Sequence, residues 1–227
     1  MLLSHRYRFI FVKTEKTAGT STEISLSRYC GPEDVVTPLA PRDEAIRKKI
    51  GHAPRNFGTP QTLGPEKNDL FLRLSRTQWS QRKIFWNHIT AGEIRRKAPD
   101  EWAEYLTFTI VRNPWDAFVS KYFHRRTRKE ELTLDQAFDE FDPNINWRIY
   151  TIDDEIAVDL VLRFEHLQDD ISAAAERLGI QFDGWLPRAK ADTGRNGLHY
   201  RDVLKPRHVK AIRRACSKEI EEFGYTF

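Results

Sequence analysis

The stretch Arg8 to Leu26, RFIFVKTEKTAGTSTEISL, most constrains what this chain can fold into. Phe9-Ile10-Phe11-Val12 is an apolar run of aromatic and β-branched residues suited to a buried strand. Ser21 to Leu26 can continue as a helix with Ile24 on one face. Between them, Lys13 to Thr20 is a short loop of small and hydroxylated residues. A strand, a tight loop and a helix in that order can aim backbone N–H groups and the positive end of the helix dipole at one anion. Gly19 permits close approach of the backbone, Thr17, Thr20 and Ser21 add hydroxyls, and Lys16 adds a full charge. The segment therefore reads as a cradle for a phosphate-like group. The same residues would also serve as a plain helix-capping turn. The pattern G-x-x-x-x-G-K-[ST] is absent, since the lysine precedes the glycine, which disfavours an ordinary ATPase or GTPase.

A second strand, Leu106 to Val111, runs directly into Arg112-Asn113-Pro114. Asn113 suits an N-cap and Pro114 a first helical position. Trp115, Phe118, Val119, Tyr122 and Phe123 then share one helical face. Arg125, Arg126, Arg128 and Lys129 cluster at the end of this helix, where they suit the negative end of the dipole and read as a solvated cap. Thr90 with Glu93 has capping-box spacing for a helix from Ala91 to Lys97. Further helices are expected over Arg42–Ile50, Asp100–Tyr105, Thr133–Phe141, from Glu165 to Leu178, and from Pro206 to Gly224. Strands are expected at Ile84–Trp86, Trp147–Ile152 and within Ile156–Phe164, and Gly51 to Asp69 reads as a long loop.

Strands alternating with helices, with no repeat or linker, point to one α/β domain over residues 1–227 with a mainly parallel sheet. Ligands of such sheets lie at the carboxyl ends of the strands, where both the Lys16 loop and Arg112 fall. The net charge of +4 suits an anionic ligand and is too small to imply nucleic acid. No apolar run has the length of a membrane span, and no secretory signal is read at the N-terminus, so a cytoplasmic location is expected. Cys30 and Cys216 are expected as reduced thiols, and the histidines show no metal spacing.

Lys16-Thr17-Ala18-Gly19-Thr20-Ser21 resembles the 5′-phosphosulfate loop of sulfotransferases that use 3′-phosphoadenosine 5′-phosphosulfate (PAPS). Arg112-Asn113-Pro114-Trp115-Asp116, with Ser120 eight residues after Arg112, resembles their 3′-phosphate motif. The likeness runs from about Phe9 to Tyr225 and is closest to the branch of the Golgi carbohydrate and heparan sulfate 2-O-sulfotransferases, in a soluble, bacterial-type form. It implies a P-loop-like three-layer α/β fold and transfer of a sulfuryl group from PAPS to an acceptor hydroxyl, with a small-molecule or carbohydrate acceptor and no metal. By resemblance, Lys16 stabilises the leaving phosphate, the segment Thr17, Ala18, Gly19, Thr20 and Ser21 cradles it, and Arg112 and Ser120 hold the 3′-phosphate. Arg195 lies in a loop that closes over the nucleotide in the family. His88, just after an expected strand, is the candidate base, with a structural role as the competing reading. Glu165 is expected to cap the helix it begins. The branch has proline before the loop lysine where this chain has Glu15, which must point away from the anion or pair with Lys13. A small-molecule kinase and a non-catalytic polyanion-binding module are the other readings. The first would be expected to show a glycine-then-lysine loop and an acidic magnesium ligand.

Overall fold

The computed structural model describes residues 1–58, 85–187, 189 and 195–227. Its centre is a five-stranded sheet built from β1 (Leu2–Ser4), β2 (Phe9–Phe11), β3 (Val35–Val36), β4 (Leu106–Val111) and β7 (Leu160–Arg163). The strand order is β3-β1-β2-β4-β7. β2 pairs parallel with β4, and β4 parallel with β7, while β1 runs antiparallel to both of its neighbours. A separate two-stranded hairpin joins β5 (Thr151–Ile152) to β6 (Glu155–Ile156) through Asp153 and Asp154, both at positive φ. The parallel centre is buried on both faces, which is why its strands read as continuous apolar runs. Phe9, Phe11, Phe108, Ile110 and Leu162 pack against the helix Leu167–Arg177 on one side. Ile10, Val12 and Val111 face Ile89, Ile94, Trp147 and Tyr150 on the other. The mixed α/β fold expected from the sequence is the observed one.

Local signals place several helices where the sequence puts them. Thr90 and Glu93 form the reciprocal capping box of Ala91–Lys97. The Asn113 side chain accepts from the Trp115 and Asp116 amides and starts the helix Pro114–Arg126. Gly179, at φ 68°, follows the end of Leu167–Arg177.

Three expectations are corrected. Ile145–Tyr150 is a helix, and only Thr151–Ile152 of the expected strand is extended. Despite strand-favouring composition, a helix lets Trp147, Ile149 and Tyr150 all reach the core and frees Asn146 to bond the backbone of Glu15. The C-terminal helix is two, Pro206–Ala215 and Ser217–Phe223, hinged at Cys216. Phe85 and Trp86 are not in a strand. The Phe85 amide bonds the Phe57 carbonyl, and Ile84 lies outside the described residues, as does most of the Gly51–Asp69 loop. Strands β1 and β3, too short to stand out as patterns, were not expected. Cys30 and Cys216 are both free and buried. Among the described residues no helix is long and apolar enough to cross a membrane.

Candidate active site

Because β2 and β4 are parallel neighbours, the loops that leave them emerge side by side. The backbone does the first part of the work. Lys16 and Ala18 both adopt left-handed φ of 62°, an arrangement that costs about 1 kcal/mol or more per residue and curls the loop tightly. The helix Gly19–Leu26 starts from Ala18 without any side-chain cap. Its first amide to find an intrahelical acceptor is that of Thr22, which bonds the Ala18 carbonyl. The amides of Gly19, Thr20 and Ser21 thus precede the ladder at the positive end of the helix dipole. A Cβ at Gly19 would stand 2.8 Å from Lys13 Cγ, so only glycine lets the helix start this close to the strand end.

Hydrogen bonds from outside fix the loop. Asn146 accepts from the Glu15 amide at 2.7 Å and donates to its carbonyl at 2.9 Å, as a neighbouring strand would. Thr14 Oγ1 lies 2.5 Å from the Ile110 carbonyl and 2.8 Å from Thr17 Oγ1. The Thr17 hydroxyl is therefore turned inward and fully buried, in contrast to the hydroxyls of Thr20 and Ser21.

Arg112 sits where the two strand ends meet. Its Nε and Nη2 donate to Asp116 Oδ2 at 2.7 and 2.6 Å, and Nη1 donates to the Lys16 carbonyl at 2.7 Å. The guanidinium also lies 3.8 Å from the centre of the Phe164 ring. Of its five N–H groups, three are used in these bonds, and the other two have no acceptor among the described residues. Asp116 Oδ1 binds Arg195 at 2.7 Å, so one carboxylate ties both arginines. Glu165 caps nothing on its own helix. Its carboxylate instead accepts from the Asn113 amide at 2.7 Å and thereby fixes the turn after Arg112.

A cavity of about 320 Å³ opens over these loops. Lys16, Ala18, Gly19, Thr20, Ser21, His88, Arg112 and Ser120 all line it, whereas Thr17 does not. Arg195 lines a second, adjoining concavity with Asp116 and Tyr200. Trp115 and Tyr200 are core residues, and Trp86 is exposed beside Lys97.

His88 Nδ1 lies 3.0 Å from the Lys13 carbonyl. A carbonyl only accepts, so Nδ1 carries the proton and Nε2 keeps its lone pair. Burial, and then the Lys13 charge, pull the His88 pKa down to about 4, against weaker opposing effects of the Lys13 carbonyl and Glu15. That is well below the ordinary histidine value near 6.5. Glu15 pairs with Lys121 at 2.6 Å, not with Lys13. Burial works to raise the Glu15 pKa, but the Lys121 bond and charge, with smaller contributions from His88 and Lys16, hold it below its ordinary value.

Lys13 is committed elsewhere. It is buried and pairs with Glu23 at 2.9 Å, while Arg47 reaches the other Glu23 oxygen at 3.0 Å and the Met1 amino group approaches at 3.2 Å. Burial alone would raise the Glu23 pKa. The cations outweigh it and bring it to about 2. Sequence reading missed this hub, as it missed Asn146 and the link that Asp116, named only as part of the motif, makes between Arg112 and Arg195. The one available signal was a glutamate inside a short helix with no polar face. The basic cluster at the end of Pro114–Arg126 divides in two. Arg126 stacks near Tyr122 and bonds the Glu130 carbonyl, and Lys129 pairs with Glu140, as a solvated cap would. Arg125 and Arg128 instead line the cavity.

A family model, described as the sulfotransferase family, matches residues 1–226. The chain belongs to that family, whose members transfer sulfuryl groups. No curated protein and no solved structure matches it.

Proposed function

We propose that the protein is a single-domain, PAPS-dependent sulfotransferase acting on a hydroxyl acceptor, for which the resemblance suggests a carbohydrate. The observation that carries this reading is the bond from Arg112 Nη1 to the Lys16 carbonyl, which joins the two anion-binding motifs at the rim of one cavity. The donor set fits PAPS. Three helix-start amides with no side-chain cap, a close-packed Gly19 and the Lys16 side chain suit a 5′-phosphosulfate. The two remaining Arg112 N–H groups and the Ser120 hydroxyl suit a 3′-phosphate.

When bound, PAPS supplies an activated sulfuryl group and a phosphate leaving group. Lys16 and the amides of Gly19, Thr20 and Ser21 hold negative charge at the loop, with the Thr20 and Ser21 hydroxyls assisting. The loop is already curled before any ligand arrives, so little reorganisation accompanies charge development. Asp116 keeps the Arg112 fork turned, and Arg195 adds a second cation beside it. His88 Nε2, neutral and facing the cavity, takes the proton from the acceptor hydroxyl.

Calorimetric titration with 3′-phosphoadenosine 5′-phosphate and with ATP tests the donor assignment. The bisphosphate is expected to bind at least about tenfold more tightly, a difference of roughly 1.4 kcal/mol. Equal affinities, or a preference for ATP, would remove it.

A further inference from the structure

We infer that residues 225–227 form a strap that positions the turn after Arg112 and so sets how strongly the protein prefers a nucleotide carrying a 3′-phosphate. This inference rests on the donor reading above and assigns part of its selectivity to Tyr225, Thr226 and Phe227. These three line neither concavity, so they act through other residues and are positioning residues.

Asn113, the residue after Arg112, is where the strap takes hold. Its side-chain oxygen accepts from the Trp115 and Asp116 amides, which starts the helix that carries Ser120. Its side-chain nitrogen has two protons to place. One goes to the Thr226 carbonyl at 3.1 Å, and the other points to the Tyr200 hydroxyl at 3.5 Å. The Asn113 backbone amide donates to Glu165 Oε1 at 2.7 Å, and the Tyr225 hydroxyl donates to the other oxygen of that carboxylate at 3.3 Å. Adjacent residues thus hold one turn by two routes, Thr226 directly and Tyr225 through Glu165. Phe227 adds a third hold. Its ring meets Trp115 and Tyr200 edge-on, at centroid distances of 5.6 and 5.5 Å. Trp115 lies in the first turn of the Ser120 helix, and Tyr200 lines the same concavity as Arg195. Phe227 therefore wedges between the two segments that bring Arg112 and Arg195 together at Asp116.

The chain reaches this place by a specified route. Gly224, at φ 64°, ends the helix Ser217–Phe223. The Tyr225 amide returns to the Ile220 carbonyl at 3.0 Å and the Gly224 amide to the Glu221 carbonyl at 3.4 Å, the paired bonds of a Schellman turn. A Cβ at Gly224 would meet no atom within 4 Å among the described residues, so backbone conformation and not space calls for glycine. Arg163, at the end of β7, donates to the Phe223 carbonyl at 2.9 Å and ties the turn to the sheet. The strap is therefore anchored before it meets Asn113. Two-point recognition of a phosphate by a guanidinium depends on where the guanidinium is held, and the turn at Asn113 holds the backbone of Arg112.

Calorimetric titration with 3′-phosphoadenosine 5′-phosphate and with adenosine 5′-phosphate, both taken to millimolar concentration, isolates the 3′-phosphate. Phe227→Ala should weaken the bisphosphate about tenfold, as expected of residues coupled through contact. Tyr225→Phe, which removes one hydroxyl and leaves the packing in place, should weaken it about threefold. The monophosphate should change by less than about twofold in both, and Phe227→Leu, which restores apolar bulk, should recover most of the loss. In an Arg112→Lys background, where the fork is gone, Phe227→Ala should cost the bisphosphate less than about twofold. Bisphosphate affinity that is unchanged in both single variants, an equal loss for the two nucleotides, or a full loss in the Arg112→Lys background would overturn the inference and leave the donor assignment intact. Failure of the bisphosphate to bind the unaltered protein would overturn the donor assignment and this inference with it.

Discussion

Lys13 and Lys16 lie three residues apart in one loop, and the molecule uses them in opposite ways. Lys13 points into the protein, 1% exposed, and completes an ion cluster with Glu23 and Arg47. Lys16 lines the cavity above the start of the same helix. The Lys13 cluster carries its own counter-charge, whereas Lys16 stands at the wall of the cavity for which we propose an anionic ligand. A buried charge with its partner in place specifies a structure, because removing either member leaves an uncompensated ion. A cation at a cavity wall, next to amides with no side-chain cap, costs little in the fold and becomes useful only when an anion arrives. The helix Gly19–Leu26 separates the two functions: its first turn faces the cavity, and Glu23, one turn on, anchors the structural cluster.

The largest effect that would sharpen this contrast is on stability. Glu23→Gln keeps the side-chain shape and strands the buried cations of Lys13 and Arg47, so it should cost about 3–5 kcal/mol. That is a large part of the roughly 5–15 kcal/mol that holds an ordinary domain together. Urea unfolding followed by tryptophan fluorescence measures it. A loss under about 1 kcal/mol would mean that the cluster is solvated and that the two lysines do not differ in kind.

Next comes Lys16→Ala. Turnover should fall by about 10²–10³-fold, the range seen when a charge-stabilising donor is removed from a reacting centre. Unfolding stability should stay within about 0.5 kcal/mol of the parent, as for other substitutions away from the core. Steady-state kinetics with an identified acceptor, alongside the same urea curve, separates the two. Unchanged turnover would strip Lys16 of its proposed role, and a large stability loss would place it in the same class as Lys13.

How much of this was legible in the sequence depends on how local each signal is. The capping box at Thr90 and Glu93, the Asn113-Pro114 helix start and the Leu106–Val111 strand are specified within a few residues, and they stand where they were expected. The loop and the Arg112–Ser120 segment were legible as motifs, and parallel pairing of β2 with β4 places them together. Long-range partners were not legible. Nothing near Glu15 announces Lys121, and nothing near Glu23 announces Arg47. Ile145–Tyr150 shows the same limit: strand-favouring residues became helical because the core and the Glu15 backbone reward that shape. The identity of a cation in a motif can be read from spacing, but whether it is already neutralised depends on residues brought near by folding.

The smallest predicted effect crosses from one region to the other. The Lys13 charge lies close enough to His88 to help lower its pKa, after burial, to about 4. A general base must be deprotonated, and a lowered pKa extends the deprotonated range downward in pH. If His88 is the base, kcat/KM should therefore stay flat from about pH 8 to pH 5 and fall only as the pH approaches 4. An unperturbed histidine would put that limb near 6.5. The fold should allow the measurement. Glu23, whose pKa drops from 4.5 to about 2, contributes stability in full above pH 4.5 and loses it progressively as the pH falls toward 2. Fluorescence recorded at each pH separates protonation of His88 from loss of structure. A limb near 6.5 would show that neither burial nor the Lys13 charge lowers the His88 pKa. Retained transfer in His88→Ala, with any limb, would assign the proton to another group.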